Sequence, residues 1–189
     1  MSPRLPSVLS RLNLPEAELY AARLDGEVFA IDDCFSPIDE IEGSGHRARS
    51  LLPTPSMRLV AERETAAWVL GAVNRPPTRH QFCTTVSARV RVSSGLRLDV
   101  REVVLDNTEI LVIDGLRVTT PLRTAIDLAR FSADFGYRES VMVAALMTLG
   151  AFGVEDCADS MNRRKNLPRK QHALARISEA AGQKTRARA

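Results

Sequence analysis

The sequence predicts an α+β fold: a degenerate winged-helix-like N-terminal region, then a small antiparallel sheet with packed helices, and a helical C-terminus. Three observations predict it. Apolar residues near the N-terminus recur at helical spacing before a short hairpin pattern. Apolar and polar residues alternate with period two within residues 80–118. Helical spacing returns after residue 119 and continues to the C-terminal segment.

The N-terminal region is assigned to residues 1–41. Its apolar spacing predicts helices over residues 5–12 and 15–25. Residues 27–31 and 34–36 then read as a short hairpin across a two-aspartate turn. Two helices followed by a hairpin are typical of the later part of a winged helix.

Residues 42–58 are predicted to be a linker, because they contain glycine and proline pairs at both ends. This linker carries a basic cluster that includes Arg47 and Arg49. The main α+β domain is assigned to residues 59–182, with a basic tail at 183–189.

The main domain is predicted to begin with a helix and to continue as a sheet. Its first helix is expected over residues 59–71. Two pairs of strands are expected next, at residues 86–92 with 96–100 and at 110–113 with 116–118. The second pair flanks Asp114-Gly115, a dipeptide that favours a tight hairpin turn.

Four further helices are predicted after the sheet. In the first, Thr120 is suited to cap the helix and Pro121 to occupy its first position. The third and fourth should form a final pair, separated at Pro168. The second is apolar on all sides, so it is expected to lie inside the core. The predicted ranges are 119–129, 141–149, 154–161 and 170–181.

The net charge of +3 hides an uneven distribution along the chain. Residues 163–189 carry nine basic side chains against one acidic side chain, whereas the rest of the chain has a net charge of −5. A basic tail of this kind suits nucleic acid or an acidic protein surface, and it is equally typical of a solvated terminal helix.

The composition excludes several classes of protein. No apolar run approaches the roughly 20 residues that a membrane span needs, and the N-terminus lacks a secretory signal pattern, so we expect a cytoplasmic protein without membrane contact. The three cysteines have no metal-ligand spacing and are expected to be buried thiols. No metal or cofactor is predicted.

The sequence predicts a binding protein rather than an enzyme. It contains no phosphate-binding glycine loop and no kinase-type catalytic triplet. The three histidines are scattered and expected at the surface. Asp99, Glu102 and Asp106 do not complete a nuclease pattern, because no Glu-x-Lys sequence follows them.

Two segments carry a family resemblance: Glu64-Thr-Ala-Ala-Trp-Val-Leu-Gly71 and Val118-Thr-Thr-Pro-Leu-Arg-Thr-Ala-Ile-Asp-Leu-Ala129. In this order they resemble the AbiEi-type antitoxins, the regulatory halves of toxin–antitoxin pairs whose toxins resemble nucleotidyltransferases. Residues 19–31 resemble the N-terminal region of that family. The resemblance implies that the chain neutralises a cognate toxin and binds the promoter of its own operon through the N-terminal winged helix. Our first hypothesis is that neutralisation occurs by direct binding.

Two alternatives to direct neutralisation remain open: a repressor that binds promoter DNA, and a covalent neutraliser that acts by phosphotransfer. The predicted recognition helix at 15–25 carries three acidic residues and one arginine, which disfavours contact with DNA phosphates. The candidate nucleic-acid-binding residues are therefore basic residues elsewhere, namely Arg47, Arg49, Arg163, Arg164 and Lys165.

The candidate toxin-binding residues combine an aromatic side chain with charged ones. Trp68 is either a core residue or an interface anchor. Arg123 and Asp127 lie four residues apart on one helix face, either as a local ion pair or with Arg123 directed at a partner. The remaining candidates are the basic residues Arg163, Arg164, Lys165, Arg169 and Lys170.

Overall fold

The computed structural model describes residues 6–52, 59–85, 98–164 and 167–186, with side chains in the last helix described as far as Gly182. These ranges contain helices and two sheets, which confirms the α+β class. The helices are α1 (Glu16–Leu24), α2 (Ser44–Leu51), α3 (Arg63–Val69), α4 (Pro121–Phe131), α5 (Tyr137–Leu149), α6 (Val154–Asn162) and α7 (Lys170–Arg186). The strands are β1 (Val28–Ile31), β2 (Cys34–Pro37), β3 (Val60–Ala61), β4 (His80–Thr85), β5 (Leu98–Val103), β6 (Ile110–Ile113) and β7 (Leu116–Thr119).

The N-terminal region consists of α1 and the antiparallel β1–β2 hairpin, as predicted. The predicted helix over residues 5–12 is wrong in its described part. There, Leu9 forms a bridge with Phe35, with backbone N–O distances of 2.7 and 2.9 Å. Leu9, Leu19 and Phe35 are buried together, so pairing with the hairpin satisfies both the backbone and the apolar side chain of Leu9.

Helix α2 lies within the segment that was predicted to be a linker. It forms because Ala48 and Leu51 are buried in the same apolar cluster as α3 and the sheet. The predicted helix at 59–71 is also corrected: its first residues form β3, and only Arg63–Val69 are helical. Tertiary pairing of β3 with β4 and β7 decides this difference.

The larger sheet has five described strands in the order β5-β4-β3-β7-β6. It is mixed, because β3–β7 and β4–β5 pair in parallel whereas β3–β4 and β6–β7 are antiparallel. The hairpin predicted at Asp114-Gly115 is confirmed, and both residues have positive φ, at 45° and 88°. The predicted strand at 86–92 and its turn lie outside the described residues.

Helices α4 to α7 pack around a second apolar cluster. All four predicted helices are present, but α5 begins four residues earlier than predicted and α7 continues to Arg186, into the segment predicted to be a tail. Helix α5 is not buried on all sides, because Val141 and Leu149 are exposed while Met142, Val143 and Leu146 are buried. Among the described helices, none is both long and apolar enough to cross a bilayer alone. Helices α5 and α6 meet the criteria of length and apolar composition only when taken together, and a bend of 91° separates them.

The start of α4 depends on the cap that the sequence predicts. The Thr120 hydroxyl accepts a hydrogen bond from the backbone N–H of Arg123 at 3.3 Å. We expect Thr120→Ala to lower the free energy of unfolding by about 1 kcal/mol, because that N–H loses its partner. Urea denaturation measures the change, and Thr78→Ala, at an exposed position, is the control. Equal midpoints for the two variants would contradict the capping role.

Candidate functional site

A cleft of about 490 Å³ opens where α4 begins and α6 ends. A short 3-10 turn, Asn107–Glu109, forms its third side. The cleft combines three arginines with hydroxyl groups and carboxylates, and only one apolar side chain lines it. Its lining residues are Asp106, Thr108, Glu109, Thr120, Leu122, Arg123, Ser160, Arg163 and Arg164.

Arg123 forms the buried inner wall of the cleft. Its Nε donates to Oδ2 of Asp127 at 2.8 Å, so the predicted pair four residues apart does form. Its Nη1 donates to Oε2 of Glu109 at 2.8 Å and to the Val104 carbonyl oxygen at 3.3 Å. Because Arg123 and Asp127 are both buried, this pair links α4 to neighbouring elements and is not an exposed local salt bridge.

Three arginines converge on the buried carboxylate of Asp127. Besides Arg123, Nη2 of Arg101 donates to Oδ2 at 3.1 Å, and Nη1 of Arg130 lies 3.5 Å from Oδ1. Arg101 also binds the fully buried Glu62: its Nε donates to Oε1 and its Nη2 to Oε2, each at 2.6 Å. An alternating chain of charges thus runs from the sheet, through α4, to the cleft.

The charged forms of these arginines are maintained by their partners. Burial disfavours the guanidinium ion of Arg123, but Asp127 and Glu109 outweigh this effect, so its pKa is raised. Burial acts similarly on Arg101, and its bonds to Glu62 raise its pKa overall. For Arg130, burial dominates and lowers the pKa. Both Arg101 and Arg130 also lie over the Phe131 ring, at 4.1 and 4.5 Å from its centre.

The outer rim of the cleft is accessible to a partner. Arg164 contacts the Glu109 carboxylate closely, whereas Arg163 is exposed and forms no ion pair within the described part of the chain. Backbone and hydroxyl hydrogen bonds from Thr108 lower the pKa of Asp106, so this carboxylate is charged. No cluster of metal-ligating residues occurs in the ranges that the structure describes. Of the two rim arginines, Arg163 is thus the one whose guanidinium group binds no carboxylate of the described residues.

The comparison with family models identifies residues 59–189 as an AbiEi antitoxin C-terminal domain. The chain belongs to the AbiEi antitoxin family. A search of the curated proteins found no match. Among solved structures, the Rv2827c protein from Mycobacterium tuberculosis has 17% sequence identity and a TM-score of 0.50, with 93% of this chain and 72% of that chain covered. That similarity concerns the fold alone. Family membership establishes an antitoxin with a cognate toxin partner.

The remaining candidate residues of the antitoxin have structural roles in the described contacts. Trp68 is buried, and its Nε1 has no hydrogen-bond partner in the described residues. Arg47 is also buried: it lies 5.7 Å from the Trp68 ring centre and donates to the carbonyl oxygens of Trp68 and Val73 at 2.7 and 2.8 Å. Arg49 pairs with Asp114 at 3.3 Å. Arg47 therefore contributes to packing between α2 and α3.

The basic residues near α7 largely bind the antitoxin itself. Arg176 donates to two carbonyl oxygens at the end of α4, at 2.9 and 3.1 Å, and Arg169 donates to a third at 3.5 Å. These contacts neutralise the negative end of the α4 dipole. Lys170 bonds to the side chain of Asn162, and Lys165 lies outside the described residues. Of the predicted basic candidates among the described residues, Arg123, Arg163 and Arg164 line the cleft.

The sequence also predicted surface positions for the histidines and buried positions for the three cysteines. His80 is buried, contrary to expectation, because its Nε2 lies 2.9 Å from Asp32 and its Nδ1 lies 3.4 Å from Thr65. The cysteines are free and buried as expected. Burial raises the pKa of Cys34 to about 11 and that of Cys157 to about 12, and it also raises that of Cys83. These thiols are therefore protonated and unreactive at neutral pH.

Sequence reasoning missed four members of the charge network: Glu62, Arg101, Glu109 and Arg130. The one local signal was Glu62, a carboxylate at the end of the apolar run Leu59-Val-Ala. A buried carboxylate requires a cation, yet nothing in the sequence shows that the cation is Arg101, 39 residues away.

Proposed function

We propose that this antitoxin neutralises a nucleotidyltransferase-like toxin by direct binding, with the arginine cleft as part of the binding surface. The observation that carries the proposal is the position of the cleft. It lies inside the AbiEi domain, and its rim offers Arg163, a cation that binds no acidic side chain of the described residues.

Charge complementarity supports the proposed partner. A nucleotidyltransferase brings carboxylates together to hold its metal ions, and a guanidinium group binds such carboxylates through paired hydrogen bonds. Arg163 and Arg164 are suited to that contact, since Arg123 and Glu109 hold the cleft behind them in a defined shape. An antitoxin that covers catalytic carboxylates blocks substrate and metal without doing chemistry itself.

Direct binding accounts for the cleft without a catalytic step. The described lining contains two threonines, one serine and two carboxylates, but these carboxylates have partners: Glu109 binds Arg123 and Arg164, and Asp106 accepts from Thr108. The sequence also lacks a glycine loop that would hold a phosphoryl donor. Neutralisation by phosphotransfer is therefore the less supported alternative, and it would leave a covalent group on the toxin.

Co-expression with the product of the adjacent toxin gene tests the proposal. We expect the two proteins to co-purify, growth to be restored, and the intact mass of the toxin to remain unchanged. Absence of both association and rescue would refute direct neutralisation. An added mass on the rescued toxin would instead show that neutralisation occurs by covalent modification and not by steric blocking.

Arg163→Glu is expected to weaken toxin binding by about tenfold, because it places a carboxylate against the acidic group that the cleft receives. Calorimetric titration of the purified toxin measures the dissociation constant. Arg75→Glu makes the same charge change at an exposed position outside the cleft and is the matched control. Because the Arg163 side chain is exposed, both variants should unfold at the wild-type temperature. Equal affinities for the two variants would exclude the cleft from the interface.

A further inference from the structure

Apart from Leu12, which precedes α1, the described N-terminal region exposes four large apolar side chains. Tyr20 and Leu24 lie one turn apart on α1, while Ile38 and Ile41 follow β2. Their exposed fractions are 49%, 88%, 64% and 88%, respectively. Isolated exposed apolar residues are ordinary, but a group of them on one surface indicates a binding site.

Backbone contacts place the segments that carry these side chains next to each other. The N–H of Glu27 donates to the carbonyl oxygen of Ala22 on α1 at 2.9 Å. The N–H of Ile38 donates in turn to the carbonyl oxygen of Glu27 at 2.9 Å. The segment after β2 therefore lies beside the C-terminal end of α1. We call the surface formed by residues 20–27 and 38–41 the N-terminal face.

Helix α1 contributes little to the core of the antitoxin. Leu19 is its one buried residue, in the cluster with Leu9 and Phe35. The Tyr20 ring packs edge-on against Phe35, with ring centres 5.4 Å apart, yet half of Tyr20 remains exposed. The opposite side of α1 has no covering element among the described residues.

Charge identifies the kind of partner that covers this face. The face itself contains four acidic side chains and one arginine, and the longer segment that includes it, residues 16–42, contains nine acidic side chains and one arginine, a net charge of −8. Three of the acids pair with His80, His46 and Arg47. The other six are exposed and form no ion pair within the described part of the chain: Glu16, Glu18, Asp25, Glu27, Asp33 and Asp39.

The negative charge of the N-terminal face disfavours two possible binding partners, DNA and a second copy of the antitoxin. The carboxylates repel DNA phosphates, and two copies of the same face repel each other. A basic protein surface with apolar side chains among its cations is complementary to this face in charge and in apolar character. A nucleotidyltransferase that acts on RNA needs cations where it contacts the phosphate backbone.

We propose that the N-terminal face docks on the basic, RNA-binding surface of the toxin, with Leu24 and Ile38 as its apolar contacts. The inference rests on the proposed function and extends it. The arginine cleft and the N-terminal face carry opposite charges, so together they orient the toxin on the antitoxin and obstruct both its metal site and its RNA surface.

The test uses the full-length antitoxin with the combined substitutions Asp25→Asn, Glu27→Gln and Asp39→Asn. We expect the dissociation constant for the toxin to rise about tenfold at low ionic strength, mainly through slower association, and the difference to shrink as salt is added. Binding is followed by surface plasmon resonance. The control carries Glu102→Gln, Asp134→Asn and Glu179→Gln, three exposed acids of the main domain with the same total charge change.

A second variant, Leu24→Ser with Ile38→Ser, tests the apolar contacts. Both side chains are exposed, so thermal unfolding should not change, whereas dissociation of the toxin should accelerate at all salt concentrations. Wild-type affinity in both N-terminal variants would overturn the docking of this face and leave the proposed function intact. Absence of toxin binding by the wild-type antitoxin would refute both.

Discussion

Asp127→Asn is expected to lower the free energy of unfolding by about 3–5 kcal/mol. Asp127 is 1% exposed, and its carboxylate accepts from Arg101, Arg123 and Arg130. Asparagine has nearly the same shape but no charge, so the three guanidinium groups lose their common counter-ion. Since Arg101 and Arg123 have raised pKa values, they are not expected to release protons to compensate.

Urea denaturation of the purified antitoxin measures this loss. The matched control is Asp99→Asn, which removes a carboxylate from the exposed pair with Arg79, where the N–O distance is 2.9 Å. An exposed pair of this type contributes less than about 1 kcal/mol. A similar small change for Asp127→Asn would show that the network does not stabilise the fold. Removal of Asp127 should also disorder the inner wall of the cleft, because Arg123 loses one of its two carboxylate partners.

Trp68→Ala is expected to lower the free energy of unfolding by about 3–5 kcal/mol, because it leaves a large cavity in the core. The indole is buried between α2 and the sheet, with the Arg47 guanidinium 5.7 Å from the ring centre and the His80 ring 6.0 Å away. Thermal and urea unfolding measure the effect. A loss of stability would confirm the core role of Trp68, but it would not test a second role in the toxin interface.

Trp68→Phe separates these two roles. It retains an aromatic ring in the core, so the variant should fold, at a cost of about 1–2 kcal/mol for the lost volume. If Trp68 is a core residue, the folded variant binds the toxin with wild-type affinity. Weak binding by a variant of near wild-type stability would instead make Trp68 an interface anchor.

Local signals in the sequence correctly predicted several elements around the candidate site. The Thr120 cap and Pro121 define the start of α4, and Asp114-Gly115 defines the β6–β7 turn. Each signal acts between residues fewer than five positions apart, so it operates before the chain has a tertiary structure. The same local reasoning failed at Leu9 and at residues 44–51, where long-range partners decide the conformation.

The sequence by itself determined the class of fold, the helices that border the cleft and, through residues 64–71 and 118–129, the family. The tertiary structure alone decided which charges meet. Glu62 meets Arg101 across 39 positions, and Arg164 meets Glu109 across 55. Periodicity records which residues turn inward within one element, but it contains no information about the element that packs opposite. Because these charged groups are largely removed from water, each needs a partner that is distant in the sequence. The pairs at Glu109 then connect the elements that border the cleft.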